Sequence, residues 1–151
     1  MATGNALYPK WKQALVTEAL TLKSLDQGDA ANGVYCALVT IGGANYVYSQ
    51  AHQFYTDLGA NVQGVPLQVT APTVSVATVA GSTGLVFDGN DCTFISVAGT
   101  IGAVVLYRHN PGANTTWRLV YYLDTVTSGL PVTPAGGNLV VSWNPNGIFM
   151  F

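Results

Sequence analysis

The sequence predicts a mainly β protein, an antiparallel β-sandwich or jelly-roll-like barrel with two short helices in the N-terminal third. Short apolar runs rich in Val, Ile, Thr and Tyr recur along the chain. Turn-forming clusters such as Asp88-Gly89-Asn90, Asn110-Pro111-Gly112, Ser128-Gly129 and Gly136-Gly137 separate them at short intervals. Beyond Gly59 no helical pattern falls between successive strands, whereas a parallel α/β sheet would need a helix at each crossover. With 151 residues the chain fits one β-rich domain, 1–151, large enough to hide roughly two-thirds of its unfolded surface.

The first element reads as a helix. Asn5 can cap it, Pro9 suits its first turn, and Trp11, Ala14, Leu15 and Ala19 recur at three- and four-residue spacing, with Lys10, Lys12, Gln13 and Thr17 on other faces. Residues 20–25 can extend as a strand, and the loop Asp26 to Gly33 follows, rich in Asp, Gly and Asn. Residues 34–39 form a nearly continuous apolar run between Gly33 and Gly42-Gly43, the pattern of a central strand. Over 49–58 the spacing of Ala51, Phe54, Tyr55 and Leu58, with Ser49 as cap and Gly59 as stop, predicts the second helix. Strands are then expected at 62–70, 73–80, 84–87, 92–97, 102–108, 116–124 and 139–143. The runs 103–107 and 119–123 are apolar on both faces, so each is covered on two sides within the fold or by a neighbouring subunit.

Composition excludes several functions. Only 8% of residues are charged, against about 25% in ordinary soluble proteins, and 49% are hydrophobic. Abundant Thr, Ser, Asn and Gln supply polarity without charge, and permanent assembly would cover the apolar surface that remains. A net charge of −2 and the five basic residues Lys10, Lys12, Lys23, Arg108 and Arg118 cannot build a phosphate-binding stripe, so no nucleic-acid partner is expected. The longest apolar stretch, around Ile101 to Tyr107, is far shorter than the roughly 20 residues of a spanning helix, so no membrane association is expected. The first residues lack the apolar core of a secretory signal, so synthesis and folding in cytosol are expected.

The chemistry-bearing residues are few: one Glu, six Asp, two His and two Cys. Asp26, Asp29, Asp88 and Asp91 lie in turn-rich segments, where aspartates bond to nearby backbone amides. The Asp88–Asp91 cluster lacks the alternating ligands and closing glutamate of a calcium loop. His52 and Asp57, five residues apart, fall on different faces of the expected helix, and His109 has no partner at metal-ligand spacing and is expected in solvent. Cys36 and Cys92 show no C-x-x-C or Cys/His pattern and are expected as two buried thiols. The Gly81–Gly84 and Gly99–Gly102 segments lack the lysine of a phosphate loop and read as hairpin turns. No catalytic residue, metal site or cofactor is expected. The ends of the chain are aromatic, so Tyr8, Trp11, Ile148, Phe149 and Phe151 stand as candidate interface residues. The tail 147–151 is expected either to pair with the chain's own sheet or to insert into a partner.

Three segments carry a resemblance. Asn5-Ala6-Leu7-Tyr8-Pro9-Lys10, running into an amphipathic helix, resembles the start of small structural proteins encoded among the head and tail genes of tailed bacteriophages. Tyr48-Ser49-Gln50-Ala51-His52-Gln53-Phe54-Tyr55-Thr56-Asp57-Leu58 is similar to their Y-S-x-x-H-x-F-x-x-D-L stretch. The close, Gly129-Leu130-Pro131-Val132-Thr133-Pro134, then Gly136-Gly137-Asn138 and a strand reaching Trp143 before Gly147-Ile148-Phe149, resembles their ending. The chain departs in having fewer charges and a less regular stretch between Gly59 and Gly84. The resemblance implies a virion structural protein, and the expected role is capsid decoration or cement, bound to the major capsid protein and forming homo-oligomers. A neck or tail component is the alternative within that class, and a carbohydrate- or receptor-binding sandwich the alternative outside it.

Overall fold

The computed structural model describes residues 4–17 and 25–151. The expected strand at 20–25 and the helical position Ala19 lie outside the described residues, except Leu25, which is buried in a turn. The fold is mainly β, with antiparallel sheets in a sandwich-like arrangement and two short helices towards the N-terminus.

A two-residue strand β1 (Ala6–Leu7) precedes helix α1 (Pro9–Thr17), which buries Trp11 and Ala14. Pro9 sits in the first turn, where its missing N–H costs nothing. Asn5 is too far ahead to cap the helix. Its side chain instead donates to the Thr125 carbonyl at 2.7 Å and accepts from the Thr125 amide at 3.1 Å, fastening the N-terminal segment to the far end of the sheet. Strand β2 (Val34–Val39) follows. The second helix is a 3-10 helix at Tyr55–Asn61, with a kink at Gly59 (φ 60°), rather than a helix over 49–58. The reason lies in the capping groups. The Asp57 carboxylate accepts from the amides of Gln53 (2.7 Å) and Phe54 (2.9 Å), so the turn begins beyond Phe54, whereas Ser49 Oγ caps only a local turn by accepting from Ala51.

Then come β3 (Val62–Gln68), β4 (Thr73–Val79), β5 (Ser82–Asp88), β6 (Cys92–Phe94), β7 (Ala103–Arg108), β8 (Arg118–Leu123), β9 (Leu139–Val141) and β10 (Phe149–Met150). All seven expected strands are present, with small shifts at their ends. The largest is in β6, which stops at Phe94 rather than Val97, short of Ser96 (φ 52°); β5 starts early, at Ser82, because Ala80 (φ 50°) and Gly81 (φ 83°) form a two-residue hairpin turn with both central φ values positive.

The central sheet runs β1-β8-β7-β2-β3, a second sheet runs β10-β5-β4, and β6 pairs with β9. Side chains alternate across the central sheet. Cross-strand partners Tyr35 and Tyr107 share one face with Tyr122, and this face meets Tyr46, Tyr48 and Tyr55 from the segment after β2. On the opposite face, Tyr121 packs on Phe149 of β10 with ring centroids 5.0 Å apart. The central strands are therefore covered on both sides by the chain itself, and every residue of β7 is buried.

The tail pairs with its own sheet: Phe149 opposes Phe87 and Met150 opposes Val86. Gly147 makes this possible, because its φ is 108° and a Cβ there would collide with Val86.

Candidate functional site

A groove of about 580 Å³ opens where the loop after β2 folds over the ends of β7 and β8, and its walls include Ile41, Tyr46, Tyr48, Thr100, Tyr122 and Asp124. The loop is shaped by Gly42 (φ 84°) and Gly43 (φ 60°), which turn the chain so that the Gly42 amide donates to the Tyr46 carbonyl at 3.2 Å. Tyr46 is thereby aimed inward. Its hydroxyl shares a 2.8 Å hydrogen bond with that of Tyr8 and a 2.9 Å bond with His52 Nδ1, forming a polar chain from the core to the groove. Tyr48 lies against both Tyr8 and Tyr122, with centroids 5.2 and 5.0 Å apart. The Tyr122 hydroxyl donates to Asp124 Oδ2 at 3.3 Å, while Asp124 Oδ1 accepts from the Gly4 amide at 2.9 Å.

Burial pushes these phenols up from their ordinary value of 10.0. Tyr46 rises to about 12, chiefly because it is desolvated and in part because the Asp57 carboxylate is near. Tyr8 is raised by burial and then by Tyr46, and Tyr48 by burial. Neutral phenols at ordinary pH are hydrogen-bonding groups, suited to orienting a polar ligand rather than attacking one.

A second aromatic cluster lies at the other end of the same face. Trp117 stacks on Tyr107 at 5.7 Å and 9°, and His109 packs against Trp117 at 4.2 Å and Tyr35 at 4.9 Å. His109 Nδ1 lies 3.1 Å from the Ala31 carbonyl oxygen, so it is half-buried among rings rather than free in solvent. Arg108, buried at the end of β7, donates to the carbonyls of His109 (2.9 Å) and Gly33 (3.3 Å). Desolvation lowers its pKa.

The acids hold turns together. Asp29 Oδ1 accepts from the Ala31 amide and the Asn32 side chain, each at 3.0 Å. Asp91 Oδ1 accepts from the Trp143 amide at 2.9 Å, and the Trp143 indole donates to the Asn90 carbonyl at 3.0 Å. The shallow cavity of about 490 Å³ beside Asp88 and Asp91 is thus the outer side of a hydrogen-bonded loop pair. Among the described residues no three His, Cys, Asp or Glu side chains gather as metal ligands. Cys36 and Cys92 are free thiols, both buried. Burial raises the pKa of Cys36, with a hydrogen bond to Cys92 as a second cause.

Of the five candidate interface residues, Tyr8, Trp11, Ile148 and Phe149 are core side chains, which takes them off the free surface of the folded chain. Their apolar character reflects packing of both chain ends against the sheets. Phe151 alone stays exposed, at 37%. It belongs to a surface feature that sequence reasoning did not single out. The Phe151 amide donates to the Leu85 carbonyl at 3.0 Å, and Leu85 opposes Val76 in β4. Phe151, Leu85 (40% exposed) and Val76 (73% exposed) therefore form a row across the second sheet, open to solvent.

No protein-family model, curated protein or solved structure matches the chain.

Proposed function

We propose that this chain is a structural protein of a tailed-phage virion, a capsid decoration protein that binds the major capsid protein and acts through contact rather than chemistry. The observation that carries the reading is the solvent-exposed row Val76–Leu85–Phe151, on a chain where Asp29, Asp57, Asp91 and Asp124 bond to backbone amides and the two histidines are tied to Tyr46 and to the Trp117 cluster. Apolar rows of this kind mark protein contacts, and repetition over a symmetric shell adds modest contacts into firm attachment. The resemblance of the opening, middle and closing segments to phage head and tail proteins supports the same reading.

Quantitative mass spectrometry of purified particles tests it. Copies on the order of hundreds per particle are expected for a shell component, and about six or twelve would reassign the chain to the neck or tail. A chain absent from particles overturns the reading.

The tyrosine groove favours one further reading, a carbohydrate- or receptor-binding module. Tyr48 offers a half-exposed ring and Asp124 a carboxylate in a concave site, the combination that holds sugar rings. Binding of host glycans by the purified chain, lost in Tyr48→Ala, would support it. Glycan binding unchanged by that substitution would remove the groove from consideration.

A further inference from the structure

We infer that β4 is a self-pairing edge: a second copy of this chain adds its own β4 antiparallel to the first, with Val76 opposite Val76 across a twofold axis. The inference rests on the reading of the chain as an assembling structural protein and names one of its partners.

Sheet edges are normally blunted by short strands, prolines, bulges, charges or cover, because an open edge templates pairing with another chain. Among the described residues, every other edge here is blunted. β1 and β10 have two residues each, and β6 and β9 have three. β3 is as long as β4, but it contains Pro66 and Gly64 (φ 68°), and its pairing with β2 shifts register.

β4 has none of these devices. It runs seven residues, Thr73–Val79, as an outermost strand in unbroken register with β5. Between Asp57 and Asp88 the chain has no Asp, Glu, Lys or Arg, so nothing in either copy of the strand repels the other.

Hydrogen-bond alternation says which groups are available. The two-residue turn makes Val79 and Ser82 a hydrogen-bonded pair, so Ala77, Ser75 and Thr73 also bond towards β5. Thr78, Val76 and Val74 then point their N–H and C=O groups outward, in agreement with the 2.7 Å side-chain bond between Thr78 and Thr83, a non-hydrogen-bonded pair. Placing Val76 opposite its own copy sets Val74 opposite Thr78 of the other chain, and the outward groups of all three residues bond reciprocally. Opposed residues of an antiparallel pair share a face, so the row Phe151–Leu85–Val76 continues into the same row of the second copy. The backbone register and the apolar stripe thus select the same twofold arrangement.

The test is light scattering on the full chain across a concentration series. The wild type is expected to reach twice the chain mass of 15.8 kDa. Val76→Pro, which removes an outward N–H and none of the bonds to β5, and Val76→Lys, which places two charges face to face, are expected to stay at 15.8 kDa while keeping the wild-type circular dichroism. Should both variants misfold, amide exchange on the wild type decides. Protection of Val74, Val76 and Thr78 that grows with concentration, while Ser75 and Ala77 stay protected throughout, supports the pairing. A wild type monomeric at every concentration, or folded variants that still double in mass, overturns it. A chain that protects these amides only on the particle also overturns self-pairing and gives the edge to another virion protein. Particle incorporation is scored separately, so a dimer that never enters particles sinks the virion reading and leaves the edge intact.

Discussion

β7 and β4 are of similar length and similarly rich in valine, yet every residue of β7 is buried and none of β4 is. Residue type does not separate them. Position in the sheet order does, because β7 lies between β8 and β2 with packing on both faces, whereas β4 pairs with β5 on one side and has no strand on the other among the described residues. The comparison divides the molecule into a part where side chains hold the fold and a part where similar side chains are free to meet something else.

Two leucines separate the two sheets most clearly. Leu106 in β7 is fully buried, so Leu106→Ala is expected to destabilise the chain by about 2–5 kcal/mol through lost burial and the cavity left behind. Leu85 in β5 is 40% exposed, so Leu85→Ala is expected to cost less than about 1.5 kcal/mol. Denaturant unfolding of the two variants side by side gives both values. Equal losses would mean that the second sheet is as tightly held as the first.

How far the sequence revealed this division depends on the element. Strands bounded by turn residues were legible, because alternation and Gly or Asn punctuation are local signals. The apolar run at 103–107 showed that it needed cover on both sides, and the fold supplies that cover from within. The helix expected at 49–58 gives way to a 3-10 turn because Tyr55 and Leu58 pack on the core from that turn, Phe54 lies under the Arg118 guanidinium at 4.7 Å, and the Asp57 cap overrides the helical spacing. The tyrosine groove was not legible: the pair Tyr46 and Tyr48 and the pair Tyr122 and Asp124 come from separate segments and meet only in the folded chain. The terminal aromatics were legible as sticky but not as buried, since a sequence does not say whether an apolar end finds its own sheet.

The next effect in size tests how the β7 end is sealed. Arg108 donates to the His109 carbonyl and adds a second donor to the Gly33 carbonyl, which also accepts from the His109 amide at 3.0 Å, so Arg108→Ala removes a charged donor from both and is expected to cost about 1–3 kcal/mol. A loss below about 0.5 kcal/mol in the same unfolding assay would show that water replaces the guanidinium.

A pH series probes the tyrosine-rich face. Because folding raises the Tyr46 pKa from 10.0 to about 12, the folded chain keeps a proton that the unfolded chain releases over that interval. Below about pH 10 both states hold the proton and its contribution is constant. As pH rises from about 10 to about 12 the unfolded state binds fewer protons, so stability must fall. Tyr8 and Tyr107 shift in the same direction by burial and deepen the fall. Tyr46→Phe is expected to be less stable at neutral pH, since it strands the Tyr8 hydroxyl, and to lose stability less steeply above pH 10. An unchanged alkaline slope would place the titrating groups elsewhere.

The smallest effect is expected for Trp11→Phe, although Trp11 is among the largest buried side chains. Its indole N–H is buried with no hydrogen-bond partner among the described residues, a penalty of about 1–3 kcal/mol that the unfolded chain does not carry. Trp11→Phe removes that N–H together with part of the ring, and the lost burial and cavity cost a similar amount in the opposite direction. The two terms should nearly cancel, leaving a change within about 1 kcal/mol. Trp11→Ala keeps the first gain but empties the site beneath α1, with an expected loss of about 3–5 kcal/mol. If both substitutions were equally harmful, the N–H would have a partner in solution, and α1 would be held by a polar contact rather than by packing alone.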